Sequence, residues 1–168
     1  MIAAVALLAA FAAIPNIDVR DLGGHAVRIE TEAAPATVVV FLSTVCPIAN
    51  DYHDRFDQLY SRFQPKGARF VFVYANYNES DEEVRRHATE ARFPFPVYRD
   101  PEARLAAAVS AQVTPTAVVL DGKGAVRYTG AIDDAVNPAR VRSPYLADAV
   151  EAVLAGRDPS PAATRAEG

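Results

Sequence analysis

The stretch "ATVVVFL" (36–42) is apolar at every position but Thr37, with no alternation of apolar and polar residues. A strand with one wet face alternates, so a continuous β-branched and aromatic run predicts a strand buried on both faces. "ARFVFVYAN" (68–76) repeats the pattern. Such strands require helices on both sides of their sheet. The intervening text supplies one: Ile48, Tyr52, Phe56, Leu59, Tyr60 and Phe63 recur at steps of three and four, a single apolar stripe. Pro47 suits the first turn of that helix, and "PKG" (65–67) closes it.

Further on, Ser80 with Glu83 three residues later predicts a capping box opening a second helix. "FPFPVYRDP" (93–101) reads as extended, because proline disfavours helix in the residue before it. A short helix is expected over 102–110. Strands at 114–121 and 124–132 are joined by an Asp-Gly-Lys-Gly turn, and an amphipathic helix covers 143–156, ending at Gly156. At the front, "NIDVRDLGGHAVRIE" (16–30) has the form of a β-hairpin about Gly23 and Gly24. The expected class is α/β: a central mixed β-sheet flanked by helices, with an N-terminal β-hairpin.

A chain of 168 residues suits one domain, placed at 14–156, with 157–168 a flexible tail. The apolar run at 2–14 is shorter than the roughly 20 residues that span a bilayer. It has the length of a signal-peptide core, and Ala10-Phe11-Ala12 offers a small-x-small cleavage pattern, although no Lys or Arg precedes it. Residues 1–13 are therefore expected to be an export segment, and the protein extracytoplasmic (periplasmic or secreted). A short buried helix in a cytoplasmic protein is the alternative. A net charge of −4 gives no footprint for nucleic acid, and no membrane contact is expected beyond that segment.

Cys46 is the one cysteine, so no internal disulfide can form. It follows a buried strand and precedes Pro47 at a helix start, where free amides and the helix dipole favour negative charge. Thiols so placed fall from about 8.5 to between about 3.5 and 7.5, which makes them nucleophilic thiolates near neutral pH. A lone cysteine is more often a small core residue. The strand-to-helix junction tips the expectation toward a reactive one.

"FLSTVCPIAN", "FVFVYANYNES", "FPFPVYRDP" and "VTPTAVVLDGKGAVRYTG" together resemble a thioredoxin-like redoxin domain. More narrowly they are similar to the alkyl hydroperoxide reductase/thiol-specific antioxidant group, with the likeness running over about 14–156. That resemblance implies a cis bond before Pro115, beside the active cysteine, with Thr114 offering its backbone to a bound thiol or peptide. It implies a thiol-dependent oxidoreductase in which Cys46 attacks a disulfide or peroxide, Ser43 hydrogen-bonds it, and Thr114, Pro115 and Pro47 shape the partner site. No cofactor or metal is needed, because sulfur carries the electrons.

Three departures matter. Ala49 stands where relatives with C-x-x-C have a second cysteine, so an external thiol, protein or small molecule, must resolve Cys46. The peroxiredoxin pattern P-x-x-x-[TS]-x-x-C is met at Ser43 but not at Val39, and its distant arginine has no counterpart at Thr114 and Pro115; Arg127 is on the next strand. Copper-handling relatives have a further cysteine where Asn50 stands, leaving one soft ligand for a redox-inactive, copper-binding alternative.

The remaining candidates have plain expectations. His25 falls in the hairpin turn, and His53 and His87 lie on helices away from the thiol. Glu79 and Asp81 read as helix-start charges, and Asp133 and Asp134 as a solvated loop. Tyr74, Tyr77 and Phe95 are candidates for groove lining, with the core as the ordinary alternative.

Overall fold

The computed structural model describes residues 12–168. The export segment expected at 1–13 lies outside the described residues but for its last two positions.

Seven strands form one mixed sheet in the order β2-β1-β5-β4-β3-β6-β7. They are β1 (Asn16–Arg20), β2 (Ala26–Glu30), β3 (Ala36–Leu42), β4 (Ala68–Tyr74), β5 (Val97–Arg99), β6 (Thr116–Asp121) and β7 (Val126–Gly130). β3 is central, parallel to β4 and antiparallel to β6, and every residue of it is buried. The unbroken apolar run thus has the physical cause expected of it: both faces are covered.

Side chains alternate between two cores. Val38, Val40, Leu42, Phe70, Phe72 and Tyr74 face α2 (His53–Phe63), α3 (Asp81–Ala91) and α5 (Tyr145–Leu154). Val39, Phe41, Val71 and Val73 pack with Leu105 and Ala106 of α4 (Arg104–Ala108) and with hairpin residues Ile17, Val19 and Ile29. The first core is aromatic: Phe72 stacks on Phe95 at 3.6 Å between centroids and meets Phe56 edge-on at 5.6 Å.

Two sequence expectations change. The single helix expected from Pro47 is divided into α1 (Pro47–Asp51) and α2, because the Tyr52 amide donates to the Ala49 carbonyl, three residues back, in a tightened turn. The Tyr52 ring is meanwhile drawn aside, its hydroxyl donating to Asp133 at 2.6 Å. The segment 157–168, expected as a loose tail, has defined partners: Thr129 donates to Ala162 and accepts from the Thr164 amide, forming a parallel bridge along β7. The capping box is present in full, with Ser80 and Glu83 bonding reciprocally.

Candidate functional site

β3 ends at Leu42, and a four-residue turn carries the chain to Pro47. Cys46 is the cap residue of α1, half-buried, with extended backbone. Its Sγ accepts from the Ala49 amide at 3.4 Å and donates to the Thr114 carbonyl at 3.0 Å. The amide stabilises negative charge on sulfur, whereas the carbonyl accepts the proton of a neutral thiol. Sulfur therefore has one contact suited to each protonation state. The bond between Thr114 and Pro115 is cis, and β6 begins at the next residue.

A groove of about 530 Å³ runs past the thiol, lined by Cys46, Pro47, Thr114, Tyr77, Val113 and Gly168 among others. Tyr77 is 92% exposed and Val113 37%, and Val45, next to the cysteine, is 72% exposed. Large apolar side chains left in water are thus gathered around the sulfur, the pattern of a contact surface rather than of scattered residues. Pro47 and Thr114 line the groove with Cys46, whereas Pro115 lines the adjoining cleft with Ile48 and Tyr52.

Ser43 does not take its expected place. Its hydroxyl donates to Glu79 Oε1 at 2.7 Å and accepts from the Val45 amide, turned into the protein. Glu79 is buried, and the same oxygen accepts from the Thr44 amide (2.7 Å), Thr44 Oγ1 (3.1 Å) and Asn76 Nδ2 (3.2 Å). The turn leading into Cys46 is thus tied to a carboxylate 35 residues on. The helix-start reading of Glu79 is corrected: Ser80 is the cap, and Glu79 precedes it. That offset is the one signal that finds it, since a carboxylate ahead of a cap has no capping work.

Asp133 is also not on a solvated loop. It is buried, accepting from Tyr52 and from Arg55 Nη1 at 2.5 Å, with the Arg55 guanidinium 3.6 Å from the Tyr52 ring centroid. Burial and the bond to Asp133 push the Tyr52 hydroxyl well above its ordinary value. Nothing in the local spacing signals this cluster, because its partners are 81 and 78 residues apart.

His53 and His87 pack edge to face, and His53 meets Phe93 at 4.7 Å. His87 lies between Tyr74 Oη at 2.8 Å and Asn50 Oδ1 at 3.0 Å. Burial holds both rings below the ordinary histidine value; His87 adds to the effect on His53, while Glu79 and Glu90 oppose it on His87. Neither ring bonds the thiol. Tyr74 and Phe95 are core residues, and Tyr77 alone of the three lines the groove. Arg127 is held by Asp121 and Asp158, and Arg99 by Asp81 and the Glu79 carbonyl, and neither guanidinium bonds the sulfur. Among the described residues, no group of three His, Cys, Asp or Glu side chains is arranged to hold a metal.

A sheet with this order, a cysteine at the helix start and a cis-proline opposite it define a thioredoxin-like protein. Thiol:disulfide interchange protein of the thioredoxin family from Chlorobium tepidum TLS shares the fold, at 21% identity and a TM-score of 0.64 over 84% of this chain and 95% of that one. A hypothetical protein from Sinorhizobium meliloti 1021 is similar at 25% identity, TM-score 0.80, over 95% and 90% of the two chains. An uncharacterized conserved protein from Geobacillus kaustophilus is 26% identical, TM-score 0.77, over 89% and 84%. The model of the AhpC/TSA family matches residues 12–129, and the chain belongs to that family. No curated protein matches it. Family and fold together support thiol redox chemistry in general.

Proposed function

We propose that the protein is a thiol-dependent oxidoreductase in which Cys46 is the only nucleophile and an external thiol resolves it. The observation that carries this reading is the sulfur at the mouth of an apolar-rimmed groove, between the Ala49 amide and the Thr114 carbonyl. Cys46 Sγ, as thiolate, attacks one sulfur of a disulfide. A new S–S bond forms, the old one breaks, and the leaving sulfur departs with the electron pair and takes a proton from water. A second thiol then attacks the mixed disulfide, releasing Cys46 reduced and carrying away the oxidised pair.

In this reading Thr114 and Pro115 position the partner, and Pro47 opens the turn that presents the Ala49 amide. Ser43 is a positioning residue, acting through Glu79 on the turn before the cysteine. A disulfide is favoured over a peroxide as oxidant, because neither the Arg99 nor the Arg127 guanidinium bonds the sulfur, and both pair with carboxylates. The apolar run at 2–14 supports an extracytoplasmic place for this chemistry.

The test is intact-mass spectrometry of the reduced protein after exposure to a peptide bearing a thionitrobenzoate mixed disulfide. One peptide adduct on Cys46 is expected, formed faster than on a free cysteine peptide, reversed by dithiothreitol and absent from Cys46→Ser. Reaction no faster than the free peptide overturns the proposal. Hydrogen peroxide with dimedone, run in parallel, distinguishes the oxidants: a faster sulfenic-acid adduct than peptide adduct transfers the reading to a peroxidase.

A further inference from the structure

Beyond α5 the chain turns back toward the thiol. Asp158 pairs with Arg127, and Pro159 is buried. Residues 162–164 then lie along the free edge of β7 through two backbone hydrogen bonds to Thr129, at 3.2 and 3.0 Å. Thr164 is the anchor: its Oγ1 is 2.7 Å from Tyr128 Oη and accepts from the Ala131 amide at 2.9 Å. Gly130, at φ +147°, makes room for it, since a Cβ there would sit 2.2 Å from Thr164 Oγ1. Thr164 and, past it, Arg165 and Glu167 line the cleft with Pro115, and Gly168 lies in the groove with Cys46. A Cβ on Gly168 would be 2.5 Å from the Thr114 carbonyl oxygen and 2.9 Å from its amide nitrogen.

The end of this segment, Gly168, therefore lies against Thr114, whose carbonyl accepts from the sulfur. Its sequence, "AATRAEG" (162–168), has no large apolar side chain, so hydrogen bonds rather than apolar burial hold it in place. Such a segment excludes another chain from the track yet can be displaced by one that brings apolar side chains to Val45, Tyr77 and Val113.

We propose that residues 162–168 are a strap that occupies the polypeptide track beside Cys46 and competes with an extended polypeptide disulfide for it. The proposal rests on Cys46 being the reacting group and adds to it the substrate class, a polypeptide rather than a small thiol compound. Iodoacetamide reaches the half-buried sulfur without displacing the strap, whereas a peptide must displace it.

Three proteins decide the matter: the full chain, a deletion of 162–168, and Thr164→Ala, which weakens the anchor while leaving the chain intact should the deletion fail to fold. The quantity read is the rate with a ten-residue peptide carrying a thionitrobenzoate mixed disulfide, divided by the rate with iodoacetamide. Deletion is expected to raise this ratio at least tenfold, and Thr164→Ala severalfold. An unchanged ratio in a folded variant overturns the strap. Independently of thiol reactivity, a fluorescein-labelled peptide with the sequence of 159–168 is expected to bind the deletion variant and not the full chain. Absence of binding to the deletion variant refutes the strap even if Cys46 reacts, whereas binding without any Cys46 adduct retains the strap and sinks the nucleophile.

Discussion

Replacing Glu79 with alanine removes the acceptor shared by Ser43 Oγ, the Thr44 amide, Thr44 Oγ1 and Asn76 Nδ2. The two bonds at 2.7 Å dominate, and the other two, at 3.1 and 3.2 Å, lie on groups with more freedom to turn. A buried donor left without a partner costs about 1–3 kcal/mol, so two set a range of about 2–6 kcal/mol. Thr44 is only half-buried and water reaches part of the vacated space, which places the loss near ~3 kcal/mol, in the lower half of that range. In a protein of this size that lowers the melting temperature by about 6–12 °C. Glu79→Gln, with its amide oxygen in the Oε1 place, keeps an acceptor for the same donors and is expected to cost about 1 kcal/mol. Urea denaturation of both variants measures the difference, and iodoacetamide labelling reads the consequence at Cys46, slower in Glu79→Ala than in Glu79→Gln. If the alanine variant loses less than about 1 kcal/mol, or the two variants are equal, Glu79 does not hold the turn.

Asp133→Ala strips the carboxylate from Arg55, whose side chain is only 12% exposed, and is expected to cost about 3 kcal/mol in urea denaturation. That is the low end for a broken buried pair, because Arg55 keeps the Ala135 and Val136 carbonyls. Acid should also weaken the fold through the histidine pair. Both rings are held below their ordinary value by burial, so the unfolded chain binds more protons and stability rises with pH. The urea midpoint is expected to fall as pH drops below about 6.5, and His53→Phe, which keeps a ring against Phe93, should flatten that slope. A slope unchanged in the variant would remove His53 from the explanation.

What the sequence made legible was short-range. The buried runs at 36–42 and 68–76, the reciprocal Ser80 and Glu83 cap, the turn at 121–124 and the junction at Cys46 are all properties of residues within about ten positions of one another. What it hid was long-range polar pairing. Ser43 carries the spacing of a thiol partner, yet its hydroxyl finds a better acceptor in Glu79, 36 residues away. Asp133 reads as loop text because Tyr52 and Arg55, which bury it, lie on the far side of four strands in the chain. The same holds for 157–168, whose composition suggests fraying but whose Thr164 meets Tyr128 across 36 residues. Apolar periodicity reports which face is dry, whereas a hydroxyl or carboxylate keeps no periodic record of its partner.

The chain enters the sheet at Ile14, whose amide donates to the Gly124 carbonyl, so tightly that a Cβ on Gly124 would lie 2.2 Å from the Ile14 oxygen. Gly124 lies three residues beyond the end of β6 and Thr114 two residues before its start, so the two mark opposite poles of that strand. The six residues of β6 between them span about 20 Å. Whatever is joined ahead of Ile14 is therefore fastened at the pole remote from the reactive one. A tether there would leave the sulfur looking outward, like a lamp on a bracket, free to meet partners from any direction but that of its own mount.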